Sequence, residues 1–153
     1  MKKQKKRSVN LQHAKNQQGP PREVIQSIID SFSNGQKKEA IIEIETLTKD
    51  FPLEALLLNV CGSFYQSIGQ LDLAVKKFEK ALTLQPEYSE VHYNLGVTLR
   101  ELGKIEEAIS CYKNAIHIKH AYPNAHYNLG NALISIKKYD DAIIHFSLSL
   151  IHI

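Results

Sequence analysis

Apolar residues recur along this chain three or four positions apart, in blocks separated by short polar turns. That spacing places them on one face of a helix. The pattern predicts helices over 21–34 and 36–49, 53–67 and 70–84, 88–102 and 104–118, and 122–136 and 138–152, which is helix, turn, helix four times over. No stretch alternates with period two over a useful length, so no strand is predicted. The breaks are regular. Gly35, Gly69 and Gly103 fall between the two helices of each pair, where a left-handed C-cap suits glycine. Lys137 holds that place in the last pair. Pro52 and Pro86 fall between pairs, where proline ends one helix and can begin the next. Gly19-Pro20-Pro21 precedes the first helix.

The blocks are copies of one another. Gly62, Gly96 and Gly130 are 34 residues apart, and His92-Tyr93-Asn94-Leu95-Gly96 returns as His126-Tyr127-Asn128-Leu129-Gly130. A fixed period of this size marks a stacked repeat array. Other rows keep it: Ala40, Ala74, Ala108 and Ala142; Ile44, Phe78, Tyr112 and Phe146; Leu47, Ala81, Ala115 and Ser149; Tyr65, Leu99 and Leu133. Small residues such as Gly62 and Ala74 let two helices approach, and the aromatic at Phe78 fills the space beside them. The rows recur because each pair must present the same faces to its neighbours.

Leu-Gly, the large residue after it, the alanine, the aromatic, the second alanine and the proline together resemble the tetratricopeptide repeat family. The resemblance covers about residues 21–153. It departs from the pattern at Cys61, His120 and Ser149, and the first unit has Ser27 and Ile28 where Leu-Gly is expected. The organisation expected is a disordered basic tail over 1–20, a degenerate unit 21–54, units 55–88 and 89–122, and an incomplete unit 123–153. The resemblance implies an all-α fold, with antiparallel helix hairpins stacked into a right-handed superhelical solenoid. First helices would line a concave groove and second helices the outer wall.

Charge changes the picture only at the start. Of 19 Lys and Arg, six (Lys2, Lys3, Lys5, Lys6, Arg7 and Lys15) lie in the first 20 residues with no acid among them, leaving 13 against 16 acidic residues beyond. The repeat body is therefore slightly acidic, which argues against nucleic acid as its partner. The basic run reads as a solvated tail before it reads as a nucleic-acid, membrane or nuclear-address element. No apolar run approaches the roughly 20 residues of a membrane span, and no apolar segment follows the basic start as in a secretory signal. Cys61 and Cys111, 50 residues apart, fit buried thiols in a reducing, cytoplasmic compartment rather than a disulfide framework or zinc site.

Catalytic patterns are missing: there is no Gly-rich phosphate loop, no GxSxG and no HExxH. Glu106-Glu107 and Asp140-Asp141 open second helices, where acids suit the positive end of the dipole. His92 and His126 hold equivalent places and are expected to pack between helices. His117 and His120 have no carboxylate or cysteine at ligand spacing. No metal, cofactor or catalytic residue is expected.

The last segment, Ile143-Ile144-His145-Phe146-Ser147-Leu148-Ser149-Leu150-Ile151-His152-Ile153, spares little surface for water. Either the chain is a fragment of a longer repeat protein, the favoured expectation, or this helix packs on another molecule, including a second copy.

The groove-facing candidates are Asn59, Ser63 and Gln66, then Tyr93, Asn94, Val97 and Arg100, then Tyr127, Asn128, Asn131 and Ile134. Of these, Asn59, Tyr93, Asn94, Arg100, Tyr127, Asn128 and Asn131 are the expected peptide contacts. Amides can donate to and accept from a peptide backbone, and tyrosines add flat area at low entropic cost. Asn94 and Asn128 stand directly before Leu-Gly, a placement similar to the repeats of O-linked N-acetylglucosamine transferases. That resemblance implies an asparagine ladder gripping a peptide backbone. Val60 interrupts it in the preceding unit, and the two amides could equally bond between helices. A two-carboxylate clamp would need lysines, and only Arg100 suits it. The expected function is a non-catalytic scaffold that holds a peptide segment. The alternative is the N-terminal repeat region of a larger transferase.

Overall fold

The computed structural model describes residues 19–151. The expected basic tail thus lies outside the described residues, apart from Gly19 and Pro20. Eight helices follow in order: α1 (Arg22–Ser33), α2 (Lys37–Asp50), α3 (Ala55–Ser67), α4 (Leu71–Leu84), α5 (Ser89–Glu101), α6 (Ile105–Ile118), α7 (Pro123–Ser135) and α8 (Tyr139–Ile151). Among the described residues there are no strands. The helices lie where the periodicity places them, with their ends within two residues.

Each helix packs on the next, and α1, α3, α5 and α7 also touch in sequence. The first helix of every hairpin therefore lies beside the first helices of its neighbours, and this row makes one continuous face.

The hairpin turns follow from backbone chemistry. Gly35, Gly69 and Gly103 have φ of 93°, 78° and 80°. The residue after each donates its N–H back into the helix just ended, as in Gln70 to Tyr65 O and Lys104 to Leu99 O, both 2.9 Å. This is the pattern that closes a helix through a left-handed residue. Lys137 takes the same turn with φ 64°, and Lys138 N–H reaches Leu133 O at 2.9 Å. The turn geometry is kept without the glycine.

The repeating glycine is explained by a distance. A Cβ on Gly62 would stand 2.6 Å from Phe78 Cε1, one on Gly96 2.7 Å from Tyr112 Cε1, and one on Gly130 2.8 Å from Phe146 Cε1. Each aromatic ring packs directly against the backbone of its own hairpin's first helix. No side chain fits between.

Two apolar clusters run through the stack. One joins Val24, Ile28, Ala40 and Ile44 to Leu57, Cys61 and Phe64, with the Phe32 ring stacked on Phe64 at 4.0 Å. The other continues from Leu58 and Phe78 through Leu95 and Tyr112 to Leu129 and Ala142. Glu45 links the first hairpin to the second. Its carboxylate accepts from Tyr65 Oη at 2.8 Å and Cys61 Sγ at 3.4 Å, and pairs with Lys77 Nζ at 2.9 Å. Burial raises the Glu45 pKa, but these donors and the lysine charge outweigh it and hold it below 4.5.

Candidate functional site

The row of first helices carries every groove candidate. On α5, Tyr93, Val97 and Arg100 are four and three residues apart, so they share a face, and Tyr127, Asn131 and Ile134 repeat this on α7. Tyr127 is 55% exposed and Ile134 43%. Tyr93, Asn94, Val97, Arg100, Asn128 and Asn131 are half-buried, as are Ser63 and Gln66 on α3.

Asn59 behaves differently from the surface contact the helical spacing predicts. It is buried at 4% exposure. Its Nδ2 donates to Glu90 Oε1 at 3.3 Å, and its Oδ1 accepts from Asn94 Nδ2 at 3.0 Å. Glu90 and Asn94 come from α5, so docking of the next hairpin covers Asn59 and uses both ends of its amide. The bond holds the Asn94 amide in place.

The same interlocking recurs one repeat on. Asn128 Nδ2 donates to Tyr93 Oη at 2.9 Å, and Arg100 Nη1 donates to Asn128 Oδ1 at 3.3 Å. Bonds between helices are thus real for both asparagines. They do not exhaust them. An amide offers two N–H donors and two lone pairs on oxygen. Asn94 keeps one N–H, and its Oδ1 has no hydrogen-bond partner among the described residues. Asn128 keeps one N–H and one lone pair.

Aromatic side chains back this polar row. The Tyr93 ring lies 5.1 Å from Tyr122 and 6.1 Å from Tyr112, and Tyr127 lies 5.7 Å from Phe146. Burial, helped by Glu90, pushes the Tyr122 phenol up to about 12, and the same two causes raise Tyr88. These phenols are therefore neutral donors and acceptors. Tyr88, Glu90 and Tyr122 were not among the sequence candidates. The 34-residue spacing of Tyr88 and Tyr122, one residue before the first helices, was the available signal.

His92 and His126 pack between helices and also secure the turns between hairpins. His92 Nε2 lies 2.8 Å from Pro86 O, and His126 Nε2 lies 3.1 Å from His120 O. Among the described residues, no group of three or more His, Cys, Asp and Glu is placed to hold a metal ion. Cys61 and Cys111 are buried free thiols. Burial, then Glu45, raises Cys61 to about 12, and burial, then Glu107, raises Cys111 to about 11. Both stay protonated and poorly nucleophilic. No helix among the described residues is long and apolar enough to cross a membrane.

Stacked hairpins with a continuous face of first helices define a helical-repeat solenoid. The tetratricopeptide repeat model matches residues 62–99 and 98–137, so this part of the chain consists of tetratricopeptide repeats. Among solved structures, the chain is similar to MamA, at 22% identity and TM-score 0.79 over 85% of this chain and 77% of that one. It is similar also to a double mutant of MamA, at 20% identity and TM-score 0.77 over 92% and 79%. The Pseudomonas aeruginosa protein PilF matches at 20% identity and TM-score 0.77 over 82% of this chain and 57% of that one. At these identities the likeness is one of fold, the right-handed solenoid of the class. No functionally curated protein matches the sequence. Arrays of this class are generally protein-interaction scaffolds without catalysis of their own.

Proposed function

We propose that this chain is a non-catalytic scaffold that holds an extended peptide along the face of α3, α5 and α7. The observation that carries the reading is Asn94. Its amide is fixed by Asn59 at 3.0 Å, yet its oxygen and one N–H remain without a hydrogen-bond partner among the described residues. Fixed amides suit a backbone whose sequence varies, because every residue of a strand offers the same donor and acceptor. Adjacent helices pack at about 8–10 Å and an extended chain rises about 3.3 Å per residue, so one repeat corresponds to about three ligand residues. Tyr127 and Ile134 then offer apolar contact to ligand side chains near the α7 end. The two buried protonated thiols suit a reducing, cytoplasmic setting.

A second surface supports self-association. On α8, Ile143, Ile144, Leu150 and Ile151 are between 57% and 69% exposed, more apolar area on one helix than a solvated face usually carries. Light scattering across a concentration series tests this part, and a constant monomeric mass refutes it.

The groove is tested by panning a random linear peptide library on the chain and measuring the selected peptides by calorimetry. Asn94→Ala and Asn128→Ala should each raise Kd about fivefold, the equivalent of about 1 kcal/mol for a lost hydrogen bond. Unchanged affinity with an unchanged helical signal removes the amide row as the binding element.

A further inference from the structure

The last hairpin contains a pair of imidazoles that the others lack. His126 on α7 is 4% exposed. Its Nε2 lies 3.1 Å from the backbone carbonyl of His120, so that nitrogen carries hydrogen and donates. Its Nδ1 is left as an acceptor, and His145 Nδ1 on α8 lies 3.1 Å away. The two rings are inclined by only 25°, with centroids 5.4 Å apart. A single hydrogen on His145 Nδ1 satisfies both facing nitrogens. In the preceding hairpin His92 makes the same carbonyl bond, but its Nδ1 is buried without a partner among the described residues, and Cys111 stands in the place of His145.

We propose that the His126–His145 pair is a pH-operated latch, which holds α8 on α7 while both rings are neutral and releases it as the pH falls. The space between the two Nδ1 atoms holds one hydrogen. A proton added to His126 Nδ1 would set two N–H groups head to head. A charge on either ring would also sit against a partner imidazole in a half-buried site. Lys113 on α6 adds a like charge, and Asp141 on α8 is the opposing one. His120 contributes its carbonyl from the α6–α7 connection.

The electrostatics agree in sign. Burial first, then His126 and Lys113, lower the His145 pKa below 6.5, and Asp141 offsets them in part. A base whose pKa is depressed in the packed state binds more protons when released. The pair's contribution to the attachment of α8 is therefore complete above pH about 6.5 and is lost as the pH falls through the lowered folded value. Release would also remove Phe146 from behind Tyr127 and Gly130. That consequence for ligand binding rests on the peptide-groove reading; the latch itself does not.

Hydrogen exchange of the whole chain at pH 7.5 and pH 5.0, corrected for intrinsic rates, reads the latch directly. Protection of α8 should fall about threefold or more at the lower pH, with α4 unaffected. His145→Asn retains a donor to His126 but does not titrate at this position, and should hold α8 protection within about twofold between the two conditions. The His145 ring, followed by NMR, should titrate with a midpoint below 6.5 that coincides with loss of α8 protection. The latch is overturned by α8 protection that does not change with pH, by an equal loss in α4, by a His145→Asn chain that responds as strongly as the parent, or by a His145 midpoint above that value.

Discussion

Tyr112→Phe should stabilise this protein. Tyr112 is fully buried on α6, and its hydroxyl oxygen has no hydrogen-bond partner among the described residues. Burial, opposed in part by Arg100, pushes the phenol up to about 12, so the buried group is a neutral hydroxyl at any working pH. The flanking hairpins hold Phe78 and Phe146 in the same place, each against its glycine, so a bare ring fits the site. An unsatisfied buried hydroxyl costs about 1–3 kcal/mol. Its removal leaves a gap of one oxygen and forfeits contacts worth a few tenths of a kcal/mol, roughly. The net expectation is a gain of about 1 kcal/mol, or about 3–5 °C in Tm for an array of this size. Urea unfolding followed by far-UV circular dichroism measures it, with the slope required to stay constant. Because repeat arrays can unfold in pieces, exchange protection within α5 and α6 should rise in parallel. A loss of about 1 kcal/mol instead would refute the reasoning, because it would show that the hydroxyl makes a bond worth keeping.

Three further outcomes follow from the same geometry. Gly96→Ala puts a Cβ 2.7 Å from Tyr112 Cε1 and 3.2 Å from Cys111 Cβ; overpacking should outweigh the helix-propensity gain and cost about 1–2 kcal/mol in urea unfolding, and a neutral result would mean the ring can retreat. Lys137→Gly relieves a left-handed lysine at φ 64° and should add about 1 kcal/mol, seen as increased protection of the α7–α8 turn; loss of protection there would oppose it. The Glu45 carboxyl is held below 4.5 by Lys77, Tyr65 and Cys61 despite its burial, so its contribution is complete above that value and lost as the pH falls through its lower folded pKa. Glu45→Gln should remove this acid-labile part of the stability, and an identical acid profile in the variant would show that the link contributes nothing.

The architecture was legible because stacking forces every hairpin to use the same faces. Gly62, Gly96 and Gly130 therefore repeat with their aromatics, and the left-handed turns repeat with Gly35, Gly69 and Gly103. Even the exception at Lys137 could be located before its φ was known. The groove was legible only as a set of positions. Asn59 falls on the expected side of α3, but Glu90 and Asn94, 31 and 35 residues away, cover it. Helical periodicity describes one helix and is silent on what a neighbour lays over it. The pairing of His126 with His145, 19 residues apart, escaped for the same reason. The two rings meet only because α7 and α8 run antiparallel, and the repeat pattern treats His145 as one more second-helix position.

The glycine–aromatic contacts also govern how the chain comes to be folded. In the last three hairpins the two partners are 16 residues apart: Gly62 with Phe78, Gly96 with Tyr112 and Gly130 with Phe146. Such short separations need little loop closure before a contact forms, a property associated with fast folding. A hairpin emerging from the ribosome can thus shut its aromatic against its glycine before the next hairpin exists. A closed hairpin offers a finished template face to its neighbours, so folding can nucleate at any of these contacts and propagate along the array.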